Sequence, residues 1–328
     1  MAARRVSVVV PTCNRTASLR KALASIRAVE TPDLQLEILV ADNGASAETK
    51  SVAEEFNAIY LKVDRKGPSE ARNAGMFAAT GDYIAFLDDD DAWLPGHLVP
   101  HLDMLDEQPK LDGVIGQAQY ADEELKAFGM AWPDTHPGTA DDLLRKMLSG
   151  YFPQIGTAVV RRRVRDELGG FDVKLIGGED LDWLLRMAGR DALGFTMTPC
   201  ILFAQRRLGT FDKLQLQRLS FDRKVFHRHA LRRPGVWRSP MEYARAYSGT
   251  LLHFFRYFAD SALLRAERGE KWEALKAIFT AVRIFPLRSM KHLMSDTPLR
   301  RALLICLMWG TAAARMHHLP LWLYLAHC

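Results

Sequence analysis

The chain has 328 residues, with 44 Lys and Arg residues against 39 Asp and Glu residues, which gives a formal net charge of +5. This length excludes a disulfide-stapled miniprotein and accommodates one large α/β domain with an appendage, or two domains. A hydrophobic fraction of 48% and a charged fraction of 25% exclude wholesale disorder.

The first part of the chain alternates between predicted strands and predicted helices. The β-branched run Val6–Val10, ended by Pro11, is typical of a strand that is buried on both faces of a parallel sheet. Three helices and three strands then alternate at Thr16–Val29, Leu36–Ala41, Ala47–Phe56, Ile59–Val63, Ser69–Thr80 and Tyr83–Leu87. This order predicts an α/β fold with a doubly wound, mostly parallel sheet flanked by helices, whose ligands bind beyond the carboxyl ends of the strands.

The rest of the chain is less regular and then becomes helical. Two further strands and two helices are predicted at Gly113–Gln119, Thr157–Arg161, Ala140–Gly150 and Leu181–Ala188. From Gln215 onward the apolar spacing is helical throughout. We therefore expect an α/β domain over residues 1–214 and a basic, α-helical C-terminal region over residues 215–328.

The small net charge conceals two parts of opposite sign. Residues 1–205 hold 22 basic and 31 acidic side chains, a net charge of −9. Residues 206–328 hold 22 basic and 8 acidic side chains, a net charge of +14. Each part therefore needs its own explanation.

Four adjacent carboxylates, Asp88 to Asp91, follow the predicted strand Tyr83–Leu87. They repel one another unless a cation neutralises them. Because alternate residues of an extended chain point the same way, Asp88 and Asp90 are predicted to share one hard divalent ion. A solvated acidic turn, or carboxylates that cap the next helix, is the alternative interpretation.

A second acidic pair, Glu179 and Asp180, stands between two glycines and an amphipathic helix. Carboxylates in the first turn of a helix interact favourably with its dipole, and capping alone would account for them. The functional alternative is a general base that accepts a proton from a substrate hydroxyl.

Several catalytic classes lack their motifs in this sequence. The phosphate-binding motif GxxxxGK[ST] and a GxGxxG after the first strand are absent, as are HExxH and GxSxG. These absences argue against a P-loop enzyme, a dinucleotide-binding domain, a zinc protease and an α/β-hydrolase.

Four motifs together resemble those of family 2 glycosyltransferases. VSVVVPTCN followed by Arg15, then VADNGASAET, GPSEARNAGMFAATGDYIAFLDDDDAW and GGEDLDWLLR, occur in the family's order. The resemblance covers residues 4–210, roughly two thirds of the chain. It implies the GT-A fold and the transfer of a sugar from a nucleotide-sugar donor.

The resemblance implies that five residues bind the nucleotide. Pro11, Thr12 and Arg15 match the segment that lines the nucleotide pocket. Asp42 matches the acid that hydrogen-bonds the base, commonly uracil, and Arg72 matches an arginine that helps to hold the nucleotide.

The resemblance also implies a metal site and a catalytic base. Asp88 and Asp90, with Asp91 nearby, resemble the DxD motif that binds Mg²⁺ or Mn²⁺ against the diphosphate. Asp180, after Glu179, resembles the base that deprotonates the acceptor hydroxyl. A single displacement at the anomeric carbon would invert its configuration without a covalent intermediate, unlike a retaining two-step route.

The sequence departs from the family after the last predicted core strand. Many relatives carry an Arg-x-His-type segment there, near the diphosphate, but this chain reads Ala204-Gln205-Arg206-Arg207-Leu208-Gly209-Thr210. Arg206 or Arg207 is the candidate replacement, as a fixed cation.

The basic C-terminal region has two interpretations. Cations beside Trp, Phe and Leu on helices suit the surface of an anionic membrane. A helical bundle with solvated arginines that packs on the catalytic domain is the alternative. The charge-free stretch at residues 302–314 is shorter than the roughly 20 residues that a membrane span needs. No nucleic-acid-binding module is recognisable, so we expect no nucleic-acid partner.

The leading hypothesis is an inverting, metal-dependent glycosyltransferase that uses a nucleotide sugar, UDP-linked or similar, and a glycan or lipid-linked acceptor, in the assembly of cell-surface polysaccharide or glycolipid. A catalytically inactive carbohydrate- or partner-binding module is one alternative. A nucleotidyltransferase is another, although Pro11–Arg15 lacks the glycines of its phosphate loop. The N-terminus has no signal-peptide pattern, and the scattered cysteines indicate reduced thiols. We therefore expect a cytoplasmic protein, peripheral on the inner face of the membrane.

Overall fold

The computed structural model describes residues 3–205, 208, 212–232, 235 and 237–308. Within these residues the chain forms two compact units. The first is built mainly from residues up to Gln205, and the second mainly from later residues.

One sheet of eight strands organises the described part of the first unit, in the order β3-β2-β1-β4-β7-β6-β8-β5. The strands are β1 Arg4–Thr12, β2 Leu34–Asp42, β3 Ile59–Lys62, β4 Tyr83–Phe86, β5 Ala92–Trp93, β6 Gly113–Ala121, β7 Val159–Arg161 and β8 Leu193–Ala204. Four neighbouring pairs are parallel and three are antiparallel. The prediction of a doubly wound, mostly parallel sheet is confirmed.

Helices accompany these strands and continue beyond them. The helices of the described residues are α1 Thr16–Arg27, α2 Ala47–Glu55, α3 Pro68–Ala78, α4 Leu98–Glu107, α5 Ala140–Leu148, α6 Arg163–Glu167, α7 Glu179–Ala188, α8 Asp212–Arg232, α9 Pro240–Glu267, α10 Lys271–Ile284, α11 Pro286–Met294 and α12 Pro298–Leu307. The predicted flanking helices and the predicted C-terminal helical region are both confirmed.

The register of the central strands brings three strand ends to one edge of the sheet. Thr12 at the end of β1 pairs with Asp42 at the end of β2. On its other side β1 pairs with β4 through Val9 and Phe86, and the chain then enters Asp88–Asp91. The segments singled out in the sequence after β1, β2 and β4 therefore meet at one carboxyl edge.

Four elements of the first unit, β5, α4, α6 and β8, are absent from the sequence-based prediction. Strand β5 has only two residues and exists because it pairs with β8, Ala92 with Leu202. Strand β8 contains Pro199, and its pairing with β6 has a register shift. A proline and an irregular register remove the alternation by which a strand is recognised in sequence.

The second unit is a set of helices packed around aromatic residues. Phe254, Phe255 and Phe258 of α9 are buried against the apolar faces of α10 and α12. Ser239 caps the N-terminus of α9, and its hydroxyl accepts a hydrogen bond from the Glu242 amide. Among the described helices, none combines the length and the hydrophobicity that crossing a membrane requires.

Candidate functional site

The segment Asp88–Asp91, called the acidic turn below, follows the end of β4 at Phe86. The Asp91 amide donates a hydrogen bond to the Asp88 carbonyl at 3.2 Å, which closes the turn. The four carboxylates thus lie in a turn, and the alternation of an extended strand does not set their directions.

Thr12, the last residue of β1, and Arg15, three residues later, contact one side of the acidic turn. The Thr12 hydroxyl donates to Asp89 Oδ2 at 2.7 Å. Arg15 Nη1 donates to Asp89 Oδ1 at 2.9 Å and to Asp90 Oδ2 at 3.0 Å. Burial raises the pKa of Asp89 to about 6, although the charge of Arg15 opposes that shift. Thr12 and Arg15, predicted from the resemblance to line the nucleotide pocket, therefore both contact the acidic turn.

Arg72, on helix α3, holds the other side of the acidic turn. Its Nη2 donates to Asp88 Oδ1 at 2.7 Å, and its Nη1 donates to Glu179 Oε1 at 2.8 Å. Only 5% of its side chain is exposed, and its guanidinium lies 5.7 Å from the centre of the Phe171 ring. Burial lowers the pKa of Arg72, but the nearby charges of Asp88 and Glu179 outweigh it and raise that pKa above its usual value. One buried cation thus joins the two acidic motifs predicted from the sequence.

Helix α7 presents the second acidic motif at its N-terminus. Gly177 and Gly178 have φ angles of 116° and 71°. Residues with a Cβ rarely adopt such backbone angles, so the turn into the helix depends on glycine. Glu179 and Asp180 occupy the first turn. Glu179 is buried against Arg72, whereas Asp180 is half-buried. Asp180 is therefore the more exposed carboxylate of this pair.

The ionisation of Glu179 depends on opposing effects. Burial and the charge of Asp180 raise the pKa of Glu179, while Arg72 lowers it. Its Oε2 atom is buried and has no hydrogen-bond partner among the described residues. The hydrogen bond that Arg72 donates to Oε1 is therefore the contact that compensates this buried carboxyl group.

Asp42 is fully buried at the end of β2. Its Oδ1 accepts a hydrogen bond from the Gly44 amide at 2.7 Å, and its Oδ2 accepts from the Ser46 amide at 2.9 Å and from the Tyr60 hydroxyl at 3.1 Å. The side chain thereby orders the loop that follows β2. Pro11, the remaining member of the predicted nucleotide set, is half-buried and pairs in register with Ala41.

The acidic turn offers a divalent ion two carboxylate ligands and not a complete set of protein ligands. Asp91 is buried, and its Oδ1 accepts a hydrogen bond from the Ala204 amide at 2.9 Å. Asp88 and Asp90 are both half-buried. No group of three His, Cys, Asp or Glu side chains in the described part of the chain is arranged to hold a metal ion. Mg²⁺ is commonly held by one or two carboxylates together with phosphate oxygens, so Asp88 and Asp90 fit such an ion. Arg206 and Arg207, predicted to contact the diphosphate, lie outside the described residues.

Comparison with known proteins identifies the family. The family model described as glycosyl transferase family 2 matches residues 7–169. The uncharacterised glycosyltransferase YwdF of Bacillus subtilis is 32% identical over 189 residues, which are 56% of this chain and 68% of that protein. This chain belongs to glycosyl transferase family 2.

A second relative is more similar over a shorter stretch. It is the GalNAc(5)-diNAcBac-PP-undecaprenol beta-1,3-glucosyltransferase of Campylobacter jejuni, which is 40% identical over 101 residues. The match covers 29% of this family 2 chain and 32% of that protein. The chain thus spans about a third of the length of this relative.

Solved structures confirm the fold. S. aureus TarS 1-349 in complex with UDP has a TM-score of 0.55 at 17% identity, covering 92% of this chain and 88% of that one. The mannosyltransferase PcManGT from Pyrobaculum calidifontis, in complex with GDP-Man and Mn²⁺, has a TM-score of 0.55 at 18% identity, covering 94% and 87%. The predicted GT-A fold is confirmed.

The role of Arg72 as a link between the two acidic motifs of this family 2 domain was not predicted from its sequence. Ser69, Arg72 and Met76 are all buried and share one face of α3. An arginine on a buried helix face signals an internal ion pair, because such a charge is rarely buried unless it is paired. That signal predicts a partner but not which carboxylate it is.

Proposed function

We propose that this chain is an inverting, metal-dependent glycosyltransferase. It moves a sugar from a nucleotide-sugar donor to a hydroxyl of a glycan or a lipid-linked acceptor. The observation that carries this proposal is the double ion pair of Arg72 with Asp88 and Glu179. Through it, the proposed metal carboxylate Asp88 lies close to Glu179, the residue that precedes the proposed base Asp180, as a transfer between donor and acceptor requires.

Asp88 and Asp90 are the residues proposed to hold Mg²⁺ or Mn²⁺. When bound, such an ion neutralises the diphosphate of the donor and the charge that develops on the leaving group. PcManGT, whose solved structure contains GDP-Man and Mn²⁺, supports the proposal of a metal-dependent reaction. Arg15 and Arg72 already offset part of the repulsion between the carboxylates, so the turn is held together by cations of the chain itself.

Asp180 is the proposed general base. Its half-buried carboxylate stands at the beginning of α7 and accepts the proton of the acceptor hydroxyl as that oxygen attacks the anomeric carbon. Glu179 is assigned to holding Arg72 rather than to proton transfer, because it is buried and paired with that arginine. One displacement with no enzyme nucleophile inverts the anomeric configuration.

The donor and acceptor classes follow from the loops and from the relatives. The loop ordered by Asp42, together with Pro11, Thr12 and Arg15, is proposed to receive the nucleotide. TarS in complex with UDP and PcManGT in complex with GDP-Man support a nucleotide sugar without selecting the base. The C. jejuni relative is named for an undecaprenol-linked acceptor, which supports a lipid-linked acceptor here and a role in cell-surface polysaccharide or glycolipid assembly.

Residues 215–328 are proposed to make peripheral contact with an anionic membrane at its cytoplasmic face. A lipid-linked acceptor lies at such a surface, and the region from residue 206 onward carries 22 basic against 8 acidic side chains.

Incubation with UDP- and GDP-sugars and Mn²⁺ tests the proposed function. We expect slow hydrolysis of at least one donor, abolished by a chelator. An Asp180→Asn variant should lower transfer or hydrolysis by about a thousandfold, within the usual range for loss of a general base. Its Mn²⁺-dependent binding of the nucleotide, followed by thermal shift, should remain.

The exposed Asp166→Asn variant is the matched control and should keep its activity. Loss of nucleotide binding together with activity in the Asp180 variant would show that its role is misassigned. Absence of both hydrolysis and nucleotide binding for every donor would favour an inactive binding module and overturn the proposal.

A further inference from the structure

Helix α10 carries aromatic and basic side chains in alternation along one exposed face. Trp272, Lys276, Phe279 and Arg283 follow one another at spacings of three or four residues, so they share a side of the helix. Trp272 is 75% exposed and Phe279 is 64% exposed. The Arg283 guanidinium lies 5.8 Å from the centre of the Phe279 ring. The opposite face packs into the second unit through Ala274, Ala277 and Ala281.

Helix α11 continues this pattern directly after α10. Leu287, Met290 and Met294 are spaced by three and four residues, and all are exposed, with Leu287 and Met294 both at 83%. Lys291 is exposed beside them, while Ser289 is buried. We call these exposed residues of α10 and α11 the α10–α11 surface.

The charge of this segment is strongly positive. Residues 271–294 contain five Lys and Arg residues and one acidic residue, Glu273, which pairs with Lys276. Cations interleaved with aromatic and aliphatic side chains suit the interface of an anionic bilayer, where apolar groups enter the headgroup region and cations meet lipid phosphates. Aromatic residues, Met and Arg are also enriched at protein–protein interfaces, whereas Lys is depleted there. The excess of cations is therefore the feature that favours an anionic bilayer as the partner.

We propose that the α10–α11 surface is the membrane-binding face of this protein and that its partner is a bilayer of anionic phospholipid. This inference rests on the proposed peripheral membrane contact and assigns that contact to particular side chains. Phe279 and Leu287 enter the interface, while Lys276 and Arg283 meet the phosphates.

Co-sedimentation of the full chain with vesicles tests this surface. Vesicles of phosphatidylcholine alone are compared with vesicles that also contain phosphatidylglycerol. We expect binding only to the anionic vesicles, weakened by added salt. Lys276→Gln/Arg283→Gln should weaken that binding by about thirtyfold, from the usual contribution of two cations near such a surface.

Two further variants complete the test. Phe279→Ser/Leu287→Ser should weaken binding by at least about tenfold, because both helices lose apolar contact with the interface. Lys50→Gln/Lys110→Gln removes two exposed lysines of the first unit and should bind as the unmodified chain does. Thermal unfolding of each variant checks that it is folded.

Three outcomes overturn the assignment. If both α10–α11 variants bind normally, membrane contact lies elsewhere on the chain. If the unmodified chain ignores anionic vesicles, the membrane contact itself fails, while donor hydrolysis in solution still tests the glycosyltransferase proposal separately. If the chain is an oligomer in solution that Phe279→Ser/Leu287→Ser dissociates, the surface binds a second copy.

Discussion

Arginines in the two compact units have opposite surroundings. In the first unit Arg72 is 5% exposed and donates hydrogen bonds to two carboxylates from different parts of the chain. In the second unit Arg283 is exposed on α10 and lies above an aromatic ring. The same side chain therefore organises a site when its partners are internal carboxylates, and it remains available to an external anion when its neighbours are apolar. The net charge of the chain does not distinguish these situations.

Removal of the buried cation should have the largest effect on stability. Arg72→Gln leaves Asp88 and Glu179 without their shared partner, so the free energy of unfolding at pH 7 should fall by about 3–5 kcal/mol, as for other broken buried ion pairs. Urea denaturation measures this change. Arg72→Lys keeps the charge but lacks the two-pronged geometry, and it should recover part of the loss. A Gln variant as stable as the unmodified chain would mean that Arg72 does not hold the two motifs together.

Acidification should lower the stability of the first unit through two buried histidines, His97 and His101. Burial lowers the pKa of His101 to about 4, and that of the neighbouring His97 falls well below its usual value, so both are neutral in the folded chain. The unfolded chain binds these protons near pH 6.5, so stability is lost as the pH falls from about 6.5 towards 4. For His101 the loss is on the order of 3 kcal/mol.

His101→Asn isolates this contribution to the pH dependence. An Asn amide can still donate to the His97 carbonyl, which the His101 Nδ1 atom approaches at 2.8 Å, but it does not titrate. Between pH 6.5 and 4.5, the free energy of unfolding of this variant should fall less steeply with decreasing pH. The difference in slope should correspond to about one fewer proton taken up on unfolding. An unchanged slope would contradict the assignment.

Arg15 should have an intermediate effect, because its side chain is 43% exposed and solvent screens its ion pairs. Arg15→Gln should lower the free energy of unfolding by about 1 kcal/mol at pH 8, where the buried Asp89 carboxylate is charged. At pH 5 the cost should be smaller, because Asp89, with a pKa raised to about 6, is mostly protonated. Chemical denaturation at both pH values measures the difference, and an equal cost at both would show that Arg15 does not act through Asp89.

The smallest change in stability is expected for the exposed arginine of the second unit. Arg283→Gln should alter the free energy of unfolding by no more than about 0.5 kcal/mol, as is usual for exposed positions. The same variant should bind anionic vesicles several times more weakly. A large loss of stability would show that Arg283 belongs with the internal cations, and the contrast between the two units would fail.

Much of the fold could be predicted because its signals are local. Val6–Val10 is recognisable as a buried strand, and the repeated βαβ order leaves few arrangements of the sheet. Strands β5 and β8 could not be predicted in this way, since β5 is defined by two residues that pair with a distant partner. The candidate site was likewise predicted as separate motifs, and its residues remain predictions with respect to their catalytic roles.

The sequence by itself determined the alternation of strands and helices, the family motifs, and the division into an acidic and a basic part. These are properties of neighbouring residues, and spacing and composition record them directly. Only the tertiary structure decided which charges compensate one another. Arg72 and Glu179 are 107 positions apart in the chain, and folding brings them within 2.8 Å, whereas the cations of α10 stay at the surface. The local pattern of α3 indicates that Arg72 faces the interior, but which carboxylates it pairs with depends on contacts between distant segments, which no local pattern encodes.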